Sequence, residues 1–114
     1  MATHTTHIVL KVHHTEGVER DTCGRLDWNK VATQYNIVKT FTTKIAKSMR
    51  NEIVAYFASA QWATDYDAAL ASFNILPGTR EYNQQSNFTI VRMTPAEFEK
   101  AWAEEVAHRT ANDL

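Results

Sequence analysis

The sequence predicts a small α+β fold: a two-layer sandwich of about three strands carrying three helices. Three observations point there. A period-two apolar pattern opens the chain, stripes at helical spacing follow in its middle, and a strand-then-capped-helix signal closes it. The 114 residues form one domain, 1–114, and 44% of them are hydrophobic, including three Trp, four Tyr and five Phe. That is enough for a self-sufficient core. Only three Gly and two Pro occur, which argues against a loop-rich scaffold or a disordered tail.

Residues 5–14 read as a strand, because Ile8, Leu10 and Val12 alternate with Val9, Lys11 and His13. A polar segment follows over 15–26, with Gly17 and Gly24 as turn points. Asp27 then stands where a helix N-cap belongs. From there Val31, Tyr35, Val38, Phe41, Ile45 and Met49 recur every three or four residues, which predicts a long amphipathic helix from 27 to about 50. Its Thr and β-branched content makes this a reading from period rather than from propensity. Residues 51–61 fit either a continued helical stripe (Ile53, Tyr56, Phe57, Ala60) or a buried strand over 53–57. A single helix from 27 to 60 would be about three times the average length, so a strand after a break near Arg50 is the expectation.

Asp65 reads as the cap of a short helix with Tyr66, Ala69, Leu70 and Phe73 on one side, ended by a Pro77-Gly78 turn and a loop over 79–86. Residues 88–93 form the last strand. In Thr94-Pro95-Ala96-Glu97, the Thr hydroxyl accepts an orphan N–H, proline loses nothing at the first helical position, and Glu97 reaches back to the cap. Phe98, Ala101, Trp102 and Val106 then predict the buried stripe of a helix reaching about Arg109. A ferredoxin-like arrangement is among the topologies this order allows.

The candidate chemistry is sparse. His7 and His13 share a strand face but stand about 20 Å apart along it, too far for one metal ion, and His14 points to the other face. Cys23, the single cysteine, lies between Arg20 and Arg25 without a nameable orienting partner. Asp65 and Asp67 would point apart on a helix, and Glu97 is used by its capping box. No G-x-G-x-x-G, G-K-[ST], G-x-S-x-G, H-E-x-x-H or C-x-x-C occurs. No cofactor and no metal site is therefore expected.

The remaining signal is charge segregation. Between Trp28 and Asn51 stand Lys30, Lys39, Lys44, Lys47 and Arg50, with no acid among them. On a helical wheel Lys39, Lys47 and Arg50 fall together with Asn36 and Thr40, whereas the C-terminal helix is acidic through Glu97, Glu99, Glu104 and Glu105. The expected function is accordingly non-enzymatic docking on a protein partner, as an adaptor, regulator or inhibitor, with Lys39, Lys47, Arg50, Asn36 and Lys44 as the binding residues. Self-association of the basic helix of one copy with the acidic helix of another is expected alongside it. The alternative is a small-molecule binder or cofactor-free enzyme with a cleft near His14, Tyr35 and Tyr56. Nucleic-acid binding is a third reading, not favoured because the net charge is -1 and the aromatics interleaved with the cations are too few for a stacking platform. One cysteine, no apparent signal peptide and no bilayer-length apolar stretch predict a soluble cytoplasmic protein without a membrane partner.

Overall fold

The computed structural model describes residues 3–15, 17–73 and 88–114. Among these, three antiparallel strands form one sheet in the order β2-β1-β3, with three α-helices packed on it: a small α+β fold. Strand β1 (His4–His14) is central and pairs with β2 (Ala32–Thr43) on one side and β3 (Phe88–Met93) on the other. Helix α1 (Ala46–Phe57) follows β2 directly, α2 (Ala60–Ser72) follows α1, and α3 (Pro95–Ala111) follows β3.

Alternation along β1 sets the two faces. Ile8, Leu10 and Val12 point to the α1–α2 side. There Ile8 packs with Met49 and Ile53 of α1, and Leu10 and Val12 pack with Ala69 and Leu70 of α2. Val9, equally buried, points to the opposite side, where the His7 ring meets Phe98 of α3 edge-on at 5.9 Å between centroids. The arrangement thus adds a helix on the second side of the sheet to the expected stack. The first strand, the last strand and the capping box form as the sequence predicts. Thr94 accepts from the Glu97 N–H at 3.2 Å, and the Glu97 carboxylate accepts from the Thr94 N–H at 3.0 Å.

The long helix over 27–50 does not form. Asp27 does cap a helix, its carboxylate accepting from the Asn29 N–H, but that helix is the single 3-10 turn Trp28–Lys30. The chain then runs extended as β2, whose Thr, Ile, Val, Tyr and Phe content suits a pleated strand. The misleading period has a physical origin. Ile8 pairs with Lys39 and Val9 with Ile37, so Val38 is an extra residue, a β-bulge that shifts the facing of β2. Tyr35 before the bulge therefore faces the α3 side, and Phe41 beyond it faces α1, where its ring meets Tyr56. Two half-strands of opposite phase imitate a helical stripe.

The strand expected within 51–61 is likewise corrected. α1 continues to Phe57 and buries Met49, Ile53 and Tyr56 at helical spacing. The true break is at Ala58-Ser59, where the Ser59 hydroxyl caps α2 through the Trp62 N–H. Asp65 sits inside α2 and caps nothing. The stripe of Tyr66, Ala69, Leu70 and Phe73 does pack on the Leu10–Val12 cluster. The expected turn at Pro77-Gly78 and loop over 79–86 lie outside the described residues.

Leu10 is fully buried at the sheet centre, so Leu10→Ala is expected to cost about 3 kcal/mol through lost transfer energy and a residual cavity. Val54, 59% exposed on α1, should lose less than about 0.5 kcal/mol on Val54→Ala. Chemical denaturation of both variants checks the contrast.

Candidate functional site

The cations expected on one helical face are distributed over three elements. Asn36 and Lys39 lie on β2, Lys44 lies in the turn between β2 and α1, and Lys47 and Arg50 lie in the first turns of α1. The single basic helix is therefore corrected, because the chain changes from strand to helix in the middle of the run. Asn36 donates to the Ser72 hydroxyl of α2 at 3.2 Å. Lys39 places its ammonium 5.9 Å from the centroid of the Tyr56 ring, within the field of the Asp65 carboxylate. These two bind the sheet to its helices and stand apart from the rest.

Lys44, Lys47 and Arg50, close in sequence at the turn into α1, are all exposed. Arg50 lines an open cleft of about 230 Å³ between the starts of α1 and α3, floored by Met49 and Ile53 and closed by Arg92 from the end of β3. Arg92 stacks its guanidinium 5.7 Å from the centroid of Phe57. No ion pair forms at any of these four cations among the described residues. Among the described residues the one acid lining the cleft, Glu97, is committed to the Thr94 cap, and the hydrogen bond from the Thr94 N–H holds its carboxyl below the ordinary carboxylate range. The two helix starts also differ. α3 is capped by Thr94, whereas α1 begins at Ile45 without a side-chain cap. Its first N–H groups add positive character at the same place.

The acidic helix departs from expectation in a second way. Trp102 and Val106, expected in its buried stripe, are 41% and 45% exposed, while Glu105 is buried at 7%. Glu105 accepts the main-chain N–H of Thr33 at 2.8 Å and the Arg109 guanidinium at 3.0 Å. Arg109 in turn donates to the Thr33 carbonyl at 2.7 Å, and His108 meets the Val31 carbonyl at 3.0 Å. Side chains of α3 thus do for Thr33 what a neighbouring strand would do. Sequence reasoning passed over this clamp, although a Glu four residues before an Arg on one helix was the signal for it.

Around the clamp, burial pushes the His13 imidazole down, helped by Lys11 and His14 and opposed by Glu105. Burial also pushes the Tyr35 phenol up, with the Glu105 and Glu104 carboxylates adding to it. His13 meets the Thr33 hydroxyl at 2.9 Å and the Trp28 ring edge-on.

The groups nominated for a small-molecule cleft do not converge. His14 meets Gln34 at 2.6 Å on the α2 side, Tyr35 faces α3, and Tyr56 donates its hydroxyl to Asp65 at 2.5 Å. Burial and that carboxylate push the Tyr56 phenol up, while the hydrogen bonds from Tyr56 and Gln61 pull Asp65 down. Cys23 is exposed in a turn organised by Asp21, whose carboxylate accepts the Cys23 and Arg25 N–H groups, and Arg20 donates to the Gly24 carbonyl. Gly17 and Gly24 have φ of 78° and 79°, which explains glycine at both predicted turn points. Among the described residues no three metal-ligating side chains converge, and no helix is long and apolar enough to cross a membrane. Compared with known protein families, curated proteins and solved structures, the chain matches none.

Removing the Glu105 carboxylate leaves a buried N–H and a guanidinium without their acceptor. Glu105→Ala is expected to cost about 2 kcal/mol, less than for a fully buried pair because the Arg109 side chain is 30% exposed. Glu104→Ala, one residue away and exposed, should stay within about 0.5 kcal/mol. Thermal and denaturant melts of the two variants distinguish them.

Proposed function

We propose that this chain is a non-enzymatic interaction protein that docks an acidic segment of a protein partner at the cleft between the starts of α1 and α3. The observation that carries this reading is that Arg50 and Arg92 line that cleft while Lys44 and Lys47 stand exposed just before and in the first turn of α1, none of the four ion-paired with an acid among the described residues. Exposed cations of one sign around a concave, partly apolar floor steer an acidic partner and fix its register. The arginines supply planar donors suited to carboxylates, and the uncapped first turn of α1 supplies main-chain N–H groups.

The size of the cleft supports a peptide-like contact over an enclosed ligand. At about 230 Å³ it falls below the roughly 300–1,000 Å³ usual for small-molecule sites. Lys44, Lys47 and Arg50 occupy one turn and the first turns of one helix, and the aromatic beside the group, Phe57, is covered by the Arg92 guanidinium, so a nucleic-acid backbone is the less supported occupant. On this reading Lys39 and Asn36, engaged with α1 and α2, are not part of the docking surface.

The test is affinity capture from native lysate, treated with nuclease, with wild type beside a Lys44→Glu/Lys47→Glu/Arg50→Glu variant. The reading predicts a stoichiometric acidic partner that survives nuclease and is lost on charge reversal, with a melting temperature within a few degrees of wild type. A partner retained by the variant, a capture abolished by nuclease, or an empty capture by wild type contradicts it.

A further inference from the structure

The outer edge of β2 is paired with no strand among the described residues. Thr33 turns both its N–H and its carbonyl away from β1, because both are held by Glu105 and Arg109 of α3. In an antiparallel ladder outward-facing residues alternate, so Tyr35 and Ile37 also point outward before the bulge. Beyond the extra residue Val38 the alternation resumes at Thr40 and Thr42, opposite His7 and Thr5. Close side-chain contacts support this assignment. His7 meets the Thr40 hydroxyl at 2.8 Å and Thr5 meets that of Thr42 at 3.3 Å, as expected of non-hydrogen-bonded pairs. Among the described residues nothing pairs with the outward main-chain groups of Thr40 and Thr42, and both residues are exposed.

The two halves of this edge are guarded unequally. The first is closed by the α3 clamp at Thr33 and ended by the bulge at Val38, two devices that prevent edge-to-edge pairing. The second, Lys39-Thr40-Phe41-Thr42-Thr43, holds one charge, no proline and mostly β-forming residues.

We propose that a second copy of this chain pairs antiparallel on that half, about a two-fold axis at Phe41. Thr40 then lies opposite Thr42 of the second copy and Thr42 opposite its Thr40, and the two pairs exchange four main-chain hydrogen bonds. Charge and the clamp select this register. Lys39 meets Thr43 of the second copy, whereas a two-fold axis at Lys39 would set two lysines face to face. A register centred on Asn36 would drive the second copy's Lys39 against Glu105 and Arg109 at Thr33. The Phe41 rings of the two copies come together on the α1 side and the Thr40 and Thr42 hydroxyls on the other, both favourable cross-strand pairs. A net charge of -1 opposes the pairing little. The product is a continuous six-stranded sheet, and it is independent of what the basic cleft binds.

Sedimentation velocity over a concentration series tests the proposal, with Thr42→Pro beside wild type. The Thr42 N–H is not used against β1, so proline is tolerated there while it removes one intermolecular hydrogen bond on each side of the axis. Wild type is expected to dimerise, and the variant's dissociation constant to rise at least about tenfold with the melting temperature nearly unchanged. In a Cys23→Ser background, Phe41→Cys is expected to give a covalent dimer under mild oxidation, and Ile37→Cys is expected to stay monomeric. The cross-linking pair decides the matter by itself if the proline variant fails to fold. A wild type monomeric at every concentration, a dimer indifferent to Thr42→Pro, or a cross-link at Ile37 in place of Phe41 overturns the proposal.

Discussion

A three-stranded sheet has one strand whose two edges are both hydrogen-bonded, and here that strand is the first in the sequence. β1 pairs with β2 and β3, and Ile8, Val9, Leu10 and Val12 are almost entirely removed from water. Because successive side chains point to opposite sides, a run of four apolar residues on such a strand demands cover on both sides. α1 and α2 supply it on the Ile8–Leu10–Val12 side, and α3 lies on the Val9 side. Both buried clusters among the described residues are built on residues of β1, so its burial is the term on which the remaining packing depends.

The second constraint is the extra residue at Val38. It reverses the facing of β2 midway, so that the first half serves α3 through Thr33 and Tyr35 and the second half serves α1 through Lys39 and Phe41. One strand thereby contacts helices on both sides of the sheet. The same change divides its outer edge into a half closed by side chains of α3 and a half left open. The clamp at Thr33 is costly in side-chain order. It is satisfied because Glu105 and Arg109 provide an acceptor and a donor at the spacing of one helical turn.

Legibility from sequence followed how local each signal was. β1, β3 and the Thr94–Glu97 cap were readable because alternation and capping involve residues only a few positions apart. The residues of the α2 stripe were readable for the same reason, although their helix is capped by Ser59 rather than Asp65. β2 was not readable as a strand. A bulge is created by pairing with a distant strand, and its phase shift turned two alternating half-strands into an apparent helical stripe from Val31 to Met49. Of the site, Lys44, Lys47 and Arg50 were found through their charge, and Lys39 was grouped with them only by the misread helix. Arg92 was missed because the topology, not the sequence, brings the end of β3 to the start of α1. The clamp at Glu105 was missed because a charged residue on a helix is ordinarily assigned to solvent, and only the edge strand beside it explains its burial.

The packing of both helix layers depends on β2 being a strand that skips one residue against β1, and proton NMR reads this directly. Close Hα–Hα contacts mark non-hydrogen-bonded antiparallel pairs. The structure predicts them for His13 with Thr33, Lys11 with Tyr35 and Val9 with Ile37, and then, one residue out of step, for His7 with Thr40 and Thr5 with Thr42. Contacts that continue in step past Val9, or helical contacts from each Hα to the Hβ three residues on across 31–43, would contradict it.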